Sequence, residues 1–293
     1  MATEHAFGGN WTEDKLMRLR KYLPAYTTIF TANPRAQRFQ THYVDAFAGS
    51  GSRQSPADRQ GGTLDLFDEA DSIDVSNFYK GSAQIALEIE PPFDHYLFID
   101  SNPAFVQELE ALKAKYSAKA NRIDVTQAEA NSYLQNWCRR VNWNRNRAVV
   151  FLDPYGMSVN WDTVAALGRT GAIDLWILLP LGQAINRMLP REGLPMTAWG
   201  NRLTAFFGTD GWTEAFYRPS AQPSLFDDVA GFEKQASFES IGAFFSERLK
   251  TVFPQVASNS LMLMNSRNVP IFALYFAASN STAVGIANHI LRG

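Results

Sequence analysis

A chain of 293 residues, 46% hydrophobic and 19% charged, has the make-up of a folded globular protein with one large domain, or one domain carrying an insertion. Its formal net charge of −2 excludes a protein that coats nucleic acid by bulk electrostatics, so any such contact has to come from local patches. One cysteine, four scattered histidines, no leader-like N-terminus and no run of roughly 20 apolar residues exclude a disulfide framework and a membrane span, and predict a cytoplasmic protein without a bound metal.

Thr12 to Phe30 reads as a helix. Thr12 is placed to cap it, Glu13 and Asp14 fall in its first turn, and Leu16, Leu19, Leu23, Tyr26 and Phe30 recur at helical spacing. Pro24 predicts a kink or a restart, and Lys15, Arg18, Arg20 and Lys21 are assigned to other faces. From His42 onward, strand-like runs alternate with helical ones. Strands are predicted over 42–47, 95–100, 122–126, 148–153, 173–180, 261–265 and 271–279, with helices starting near Pro103, Ala128, Trp161, Gly182 and Ser237.

The central runs are almost wholly apolar, as strands covered on both faces should be, which predicts a parallel, doubly wound sheet. Only Ser266 to Pro270 joins the last two strands, so they have to form an antiparallel hairpin. The expected fold is therefore a Rossmann-like α/β sheet of the class I methyltransferase kind, with seven strands and a closing hairpin. An N-terminal helical segment (1–39) precedes the α/β domain (40–185 and 237–293), and Pro-containing residues 186–236 read as a helical insertion. Arg53 to Lys80, polar and rich in Gly, Asp and Ser, reads as a loop.

Four strand-end motifs carry chemistry. In VDAFAGSG, a strand ends at Phe47, and Gly49 and Gly51 allow close backbone approach to a ligand. Gln54 stands where a dinucleotide fingerprint has its third glycine. Asp45, before the loop, would repel a pyrophosphate but attract the ammonium and sulfonium of S-adenosyl-L-methionine (SAM). Asp100 closes the second strand and is placed to accept two ribose hydroxyls, with a helix cap as the plainer alternative. After the third strand, Gln127 and Asp124 are equal candidates to reach the adenine. FLDPYG, after the fourth strand, offers a carboxylate (Asp153), a backbone carbonyl (Pro154) and a ring (Tyr155) that together suit an exocyclic amine on a stacked base.

These segments resemble the three-Cys-motif partner protein (TcmP) family. The likeness runs through KLMRLRKYLPAYTTIF, YVDAFAGSG, GSAQIAL, FIDSN, FLDPYGMSVNW and IDLWILLPLGQAINR, with Ala83 where family members usually carry Pro. It implies a SAM-dependent methyltransferase-like fold and a neighbouring protein with three cysteines, similar to a radical-SAM enzyme, for which this chain would be a binding module. FLDPYG is also similar to the Asp-Pro-Phe/Tyr-Gly loop of tRNA guanosine N2-dimethyltransferases. It is less similar to the Asp-Pro-Pro-Tyr loop of adenine-N6 enzymes, since the second proline is missing. Both groups modify nucleic acid.

Three further segments bear on partners. Arg139, Arg140, Arg145 and Arg147, interleaved with Trp137 and Trp143, look like a nucleic-acid groove, yet they precede the fourth strand and belong to the far end of the sheet. Cys138, in the same stretch, reads as a half-buried helix residue. Asn186 and Arg187 follow the fifth strand on the motif side, where Arg187 can meet a phosphate or pair with Glu192 or Asp174. Gln222, Leu225 and Phe226 resemble the short peptides that dock on bacterial sliding clamps.

Overall fold

The computed structural model describes residues 10–46, 81–154, 156–220, 231–265 and 267–292. The core is a sheet with strand order β3-β2-β1-β4-β5-β10-β8, and β9 lies beside β10. Strands β1 (Gln40–Ala46), β2 (His95–Asp100), β3 (Ile123–Gln127), β4 (Asn146–Leu152) and β5 (Ile173–Leu179) are mutually parallel. The long strand β10 (Pro270–Ala278) runs antiparallel to β5 and pairs on its other edge with β8 (Gln255–Val256) and β9 (Leu261–Met264). The closing hairpin is therefore present, and its turn is tied by Asn265, whose side chain accepts the amides of Arg267 and Val269. Among the described residues the sheet has eight strands instead of seven, because the two-residue β8 pairs with the end of β10.

Helices α2 (81–88), α3 (Pro103–Lys115), α4 (Ala130–Arg140) and α5 (Trp161–Arg169) lie between the parallel strands. Asn102 caps α3 from the amide of Ala104, with Pro103 at the first helical position. Glu129 caps α4 by accepting the amides of Asn131 and Ser132. Past β5, a π-helical turn (Leu181–Ile185) runs into the short α6 (Asn186–Met188). A Cβ on Gly182 would stand 2.3 Å from the Pro270 carbonyl oxygen, so only glycine lets this turn pack on β10.

Residues 186–236 are not purely helical. Besides α7 (Thr197–Phe207) and α8 (Trp212–Phe216), they hold a small antiparallel sheet of β6 (Tyr217–Pro219) and β7 (Phe232–Lys234). Helices α9 (Phe238–Lys250) and α10 (Ser281–Arg292) complete the chain, and Ser237 and Ser240 form a reciprocal cap on α9.

Strand alternation sorts the core into two layers. Val44, Ala46, Leu97, Ile99, Val150, Leu152, Leu175, Ile177 and Leu179 face one way, toward α4, α5 and α9. Tyr43, Tyr96, Phe98, Val149, Phe151, Trp176 and Leu178 face the other way, toward α1 (Asn10–Ala32), α2 and α10. Helix α1 starts two residues before Thr12, which therefore lies inside it. It continues through Pro24 as one helix, and the hydroxyls of Thr27 and Thr28 bond the carbonyls of Leu23 and Pro24. Its Leu19, Tyr22, Leu23 and Tyr26 are buried on the aromatic layer.

Candidate functional site

Parallel strands bring their C-terminal tips to one edge, and register decides which side chains meet there. Asp45 pairs with Phe98 on one side and Phe151 on the other. With a period of two, Asp45, Asp100 and Asp153 all continue the aromatic layer at the tips of β1, β2 and β4. The same register separates the two candidates after β3 by position. Gln127 pairs with Asp100, whereas Asp124 pairs with Leu97 inside the strand and is exposed. Gln127 lies at the tip, and its amide reaches the Ser101 carbonyl at 3.4 Å.

Asp45 is 1% exposed and accepts the Ser82 hydroxyl at 2.7 Å and the Tyr43 hydroxyl at 3.2 Å, both on Oδ2. Its Oδ1 is buried without a hydrogen-bond partner. Burial dominates, and the carboxyl is pushed up to about 7; the Asp153 charge adds to the rise, while Ser82, Tyr43 and Lys15 oppose it. Asp100, also 1% exposed, takes the Asn102 amide on Oδ1 and leaves Oδ2 buried without a partner. Burial raises it to about 7 as well. Two adjacent strand tips thus carry buried carboxylate oxygens that accept nothing, an arrangement that costs free energy in the free protein.

Asp153 is buried and bonded through Oδ2 to the ammonium of Lys15 at 2.8 Å. Lys15 is 3% exposed, and its Nζ also lies 5.9 Å from the centre of the Phe272 ring. Burial lowers the lysine's proton affinity, and the charges of Asp153 and Asp45 hold it up. Lys15 thus departs from the expectation that it lies off the apolar face. It stands four residues before Leu19 and seven before Tyr22, on the buried stripe, so the spacing carried the signal and the residue type hid it. Arg18, one turn along, is buried too, with Nε and Nη1 unpartnered. Ser82, inside GSAQIAL, carries no local signal that marks it as a site residue.

On the same edge, Pro154 is buried after Asp153. Arg187 is exposed after β5. Asn186 holds structure together: its backbone and side-chain oxygens both accept from Lys234 of β7, tying the small sheet to the tip of β5. Phe47, Gly49, Gly51, Tyr155, Gln222, Leu225 and Phe226 lie outside the described residues.

The far end of the sheet holds other chemistry. Asp174 opens β5 there and accepts the Tyr22 hydroxyl at 2.7 Å, so it is no partner for Arg187. Arg147 stacks on Phe39 and donates to the Trp143 carbonyl, while Trp143 donates to Cys138 and meets Trp137 edge on. In this basic, tryptophan-rich stretch, at the edge away from the carboxylates, Arg147 is thus held by its own neighbours, while Arg139, Arg140 and Arg145 are exposed. Burial pushes the Cys138 thiol up to about 12. A cleft of about 690 Å³ also opens at this end, beside Tyr26, Arg147 and Asp174. The site is placed at the opposite edge because the converging buried carboxylates are there.

No family model matches the chain, and no curated protein matches it. The resemblance to three-Cys-motif partner proteins rests on the motifs alone. Among solved structures it is similar to a conserved hypothetical protein of Streptococcus pyogenes, with 17% identity, TM-score 0.31, and 53% of this chain and 76% of that one covered. It is similar to the spermidine synthase of Thermotoga maritima, with 9% identity, TM-score 0.40, and 95% and 63% covered. A Thermobifida fusca protein assigned as a methyltransferase, but not established as one, gives 13%, 0.27, and 75% and 81%. None exceeds a TM-score of 0.40, so the class of fold rests on the strand order. That order, with the antiparallel β10 inserted between β5 and its edge partners, defines a Rossmann-like, methyltransferase-like α/β protein.

Proposed function

We propose that the chain is a SAM-dependent methyltransferase acting on an exocyclic amine of a nucleic-acid base. The observation that carries this is the pair of buried, unpartnered carboxylate oxygens, Asp45 Oδ1 and Asp100 Oδ2, on neighbouring strand tips. A sulfonium nucleoside fits them, because it brings cationic groups to one and ribose hydroxyls to the other. A pyrophosphate fits neither. SAM, when bound, supplies an electrophilic methyl group. Asp45 would face its cationic end, Asp100 the ribose and Gln127 the adenine, and Gly49 and Gly51, glycines without a Cβ, would allow its close approach. The Pro154 carbonyl would accept a hydrogen bond from the acceptor amine and aim its lone pair. Tyr155 would stack on the base, and Asp153 would stabilise the positive charge that develops on the attacking nitrogen. Arg187, which is exposed, would meet a phosphate of the same strand. A screen of labelled-methyl transfer over DNA, tRNA and rRNA tests the reading. Asp153→Ala should lower transfer by at least about a hundredfold while SAM still binds; retained transfer would count against it.

A second reading is favoured by the Lys15–Asp153 pair, which engages the very carboxylate an acceptor would use. In it the fold is a SAM-holding module for a three-Cys-motif, radical-SAM-like partner. Co-purification with that partner, together with no methyl transfer to any nucleic acid, would favour this reading over the first.

A further inference from the structure

Helix α1 stands outside the alternation of strands and helices, yet it delivers a cation to the middle of the carboxylate edge. Its first half runs across the aromatic layer from Asp153, at the tip of β4, to Asp174, at the start of β5. Leu19, Tyr22, Leu23 and Tyr26 already anchor it, so a buried lysine is not needed to dock the helix. A buried ion pair is a poor source of stability, because removing two charges from water offsets most of their attraction. What Lys15 does is set charge. Asp45 is faced by Lys15 from α1, Tyr43 from its own strand, Ser82 from α2 and Asp153 from the β4 loop. Among the described residues that face Asp45, Lys15 is the cation.

We propose that Lys15 is a positioning residue of the cofactor site: it compensates Asp153 and so leaves Asp45 as the carboxylate free to ionise toward a cationic ligand. This rests on Asp45 being the cofactor carboxylate. Without Lys15, the negative charge of Asp153 acts on Asp45 with no cation to oppose it and holds the Asp45 proton more firmly, and the ligand has to displace that proton. With it, the N-terminal helix is part of the site, and the strand-and-loop motifs are incomplete without it.

The test is made first on the free protein, by following the side-chain carboxyl resonance of Asp45 by carbon NMR across pH. Lys15→Met should move the Asp45 midpoint measurably up, because the lysine's charge is one of the influences that lower it. Lys15→Arg should hold it near the wild-type position, and the double variant Lys15→Met/Asp153→Asn should bring it back down. A structural role alone predicts no such return. Where Lys15→Met does not fold, the comparison is Asp153→Asn against the double variant, and loss of Lys15 should again raise the midpoint. An unmoved midpoint in either comparison overturns the proposal. Calorimetry with SAM itself then separates the two layers. The pH at which SAM binding strengthens should shift with the Asp45 midpoint in each variant. Failure of the wild-type protein to bind SAM would overturn the cofactor reading and leave the NMR result to judge Lys15.

Discussion

Asp45 and Asp100 are held in the folded chain at the expense of stability. Each has its folded pKa raised from 3.8 to about 7, chiefly by burial, so the fold favours the protonated form relative to the unfolded chain. The sign follows directly. Between about pH 4 and pH 7 the unfolded state binds fewer protons, so stability falls as pH rises through that window and stays reduced above it. Asp45→Asn and Asp100→Asn should therefore melt several degrees higher than wild type near pH 8, with the gain vanishing near pH 4, in paired thermal scans. A gain that does not depend on pH would show that the carboxyls are not desolvated as described. Asp174, also raised to about 7 by burial, should follow the same rule at the other end of the sheet, moderated by the Tyr22 hydroxyl that it accepts.

At the scale of elements, α7 ends on a position that only glycine fits. Gly208 has φ +68° and its amide closes on the Thr204 carbonyl, while a Cβ there would stand 2.1 Å from the Trp161 ring. Arg248 of α9 donates to the Phe207 carbonyl and lies over the same ring. Gly208→Ala should cost about 2 kcal/mol or more, read as a lowered urea midpoint, since it adds both left-handed strain and a clash against buried structure. An unchanged midpoint would mean that the corner repacks freely. Elements of this kind divide by how they show in the sequence. Strands β2, β4, β5 and β10 are largely apolar runs, and they and the more polar β1 and β3 were legible to within two residues. Strands β6, β7 and β8 are two or three residues long and exist only through tertiary pairing, so no periodicity could reveal them. Pro24 looked like a break, yet α1 passes through it on a buried face that holds the helix together. The strand-tip carboxylates were legible because turn chemistry and register follow from local sequence. Lys15 was not, because among the described residues the carboxylate it pairs with, Asp153, lies 138 residues away.

For the molecule as a whole, one edge of the sheet gathers acids beneath a helix that supplies a cation, while at the opposite edge Arg147 and Trp143 donate to neighbouring backbone carbonyls. That asymmetry is the reason the proposed ligand site lies at the strand tips of β1, β2 and β4. Among the described residues no helix is long and apolar enough to cross a membrane, and no cluster of His, Cys, Asp or Glu is set to hold a metal ion. The most direct measurement is calorimetric titration of SAM into the wild-type protein and into Asp100→Ala at about pH 6 and about pH 8. Wild type should bind with an affinity that rises up to about tenfold between the two, as Asp45 ionises, and Asp100→Ala should bind at least about tenfold more weakly at both. No heat with the wild-type protein at either pH, or an affinity indifferent both to pH and to Asp100, would contradict the site.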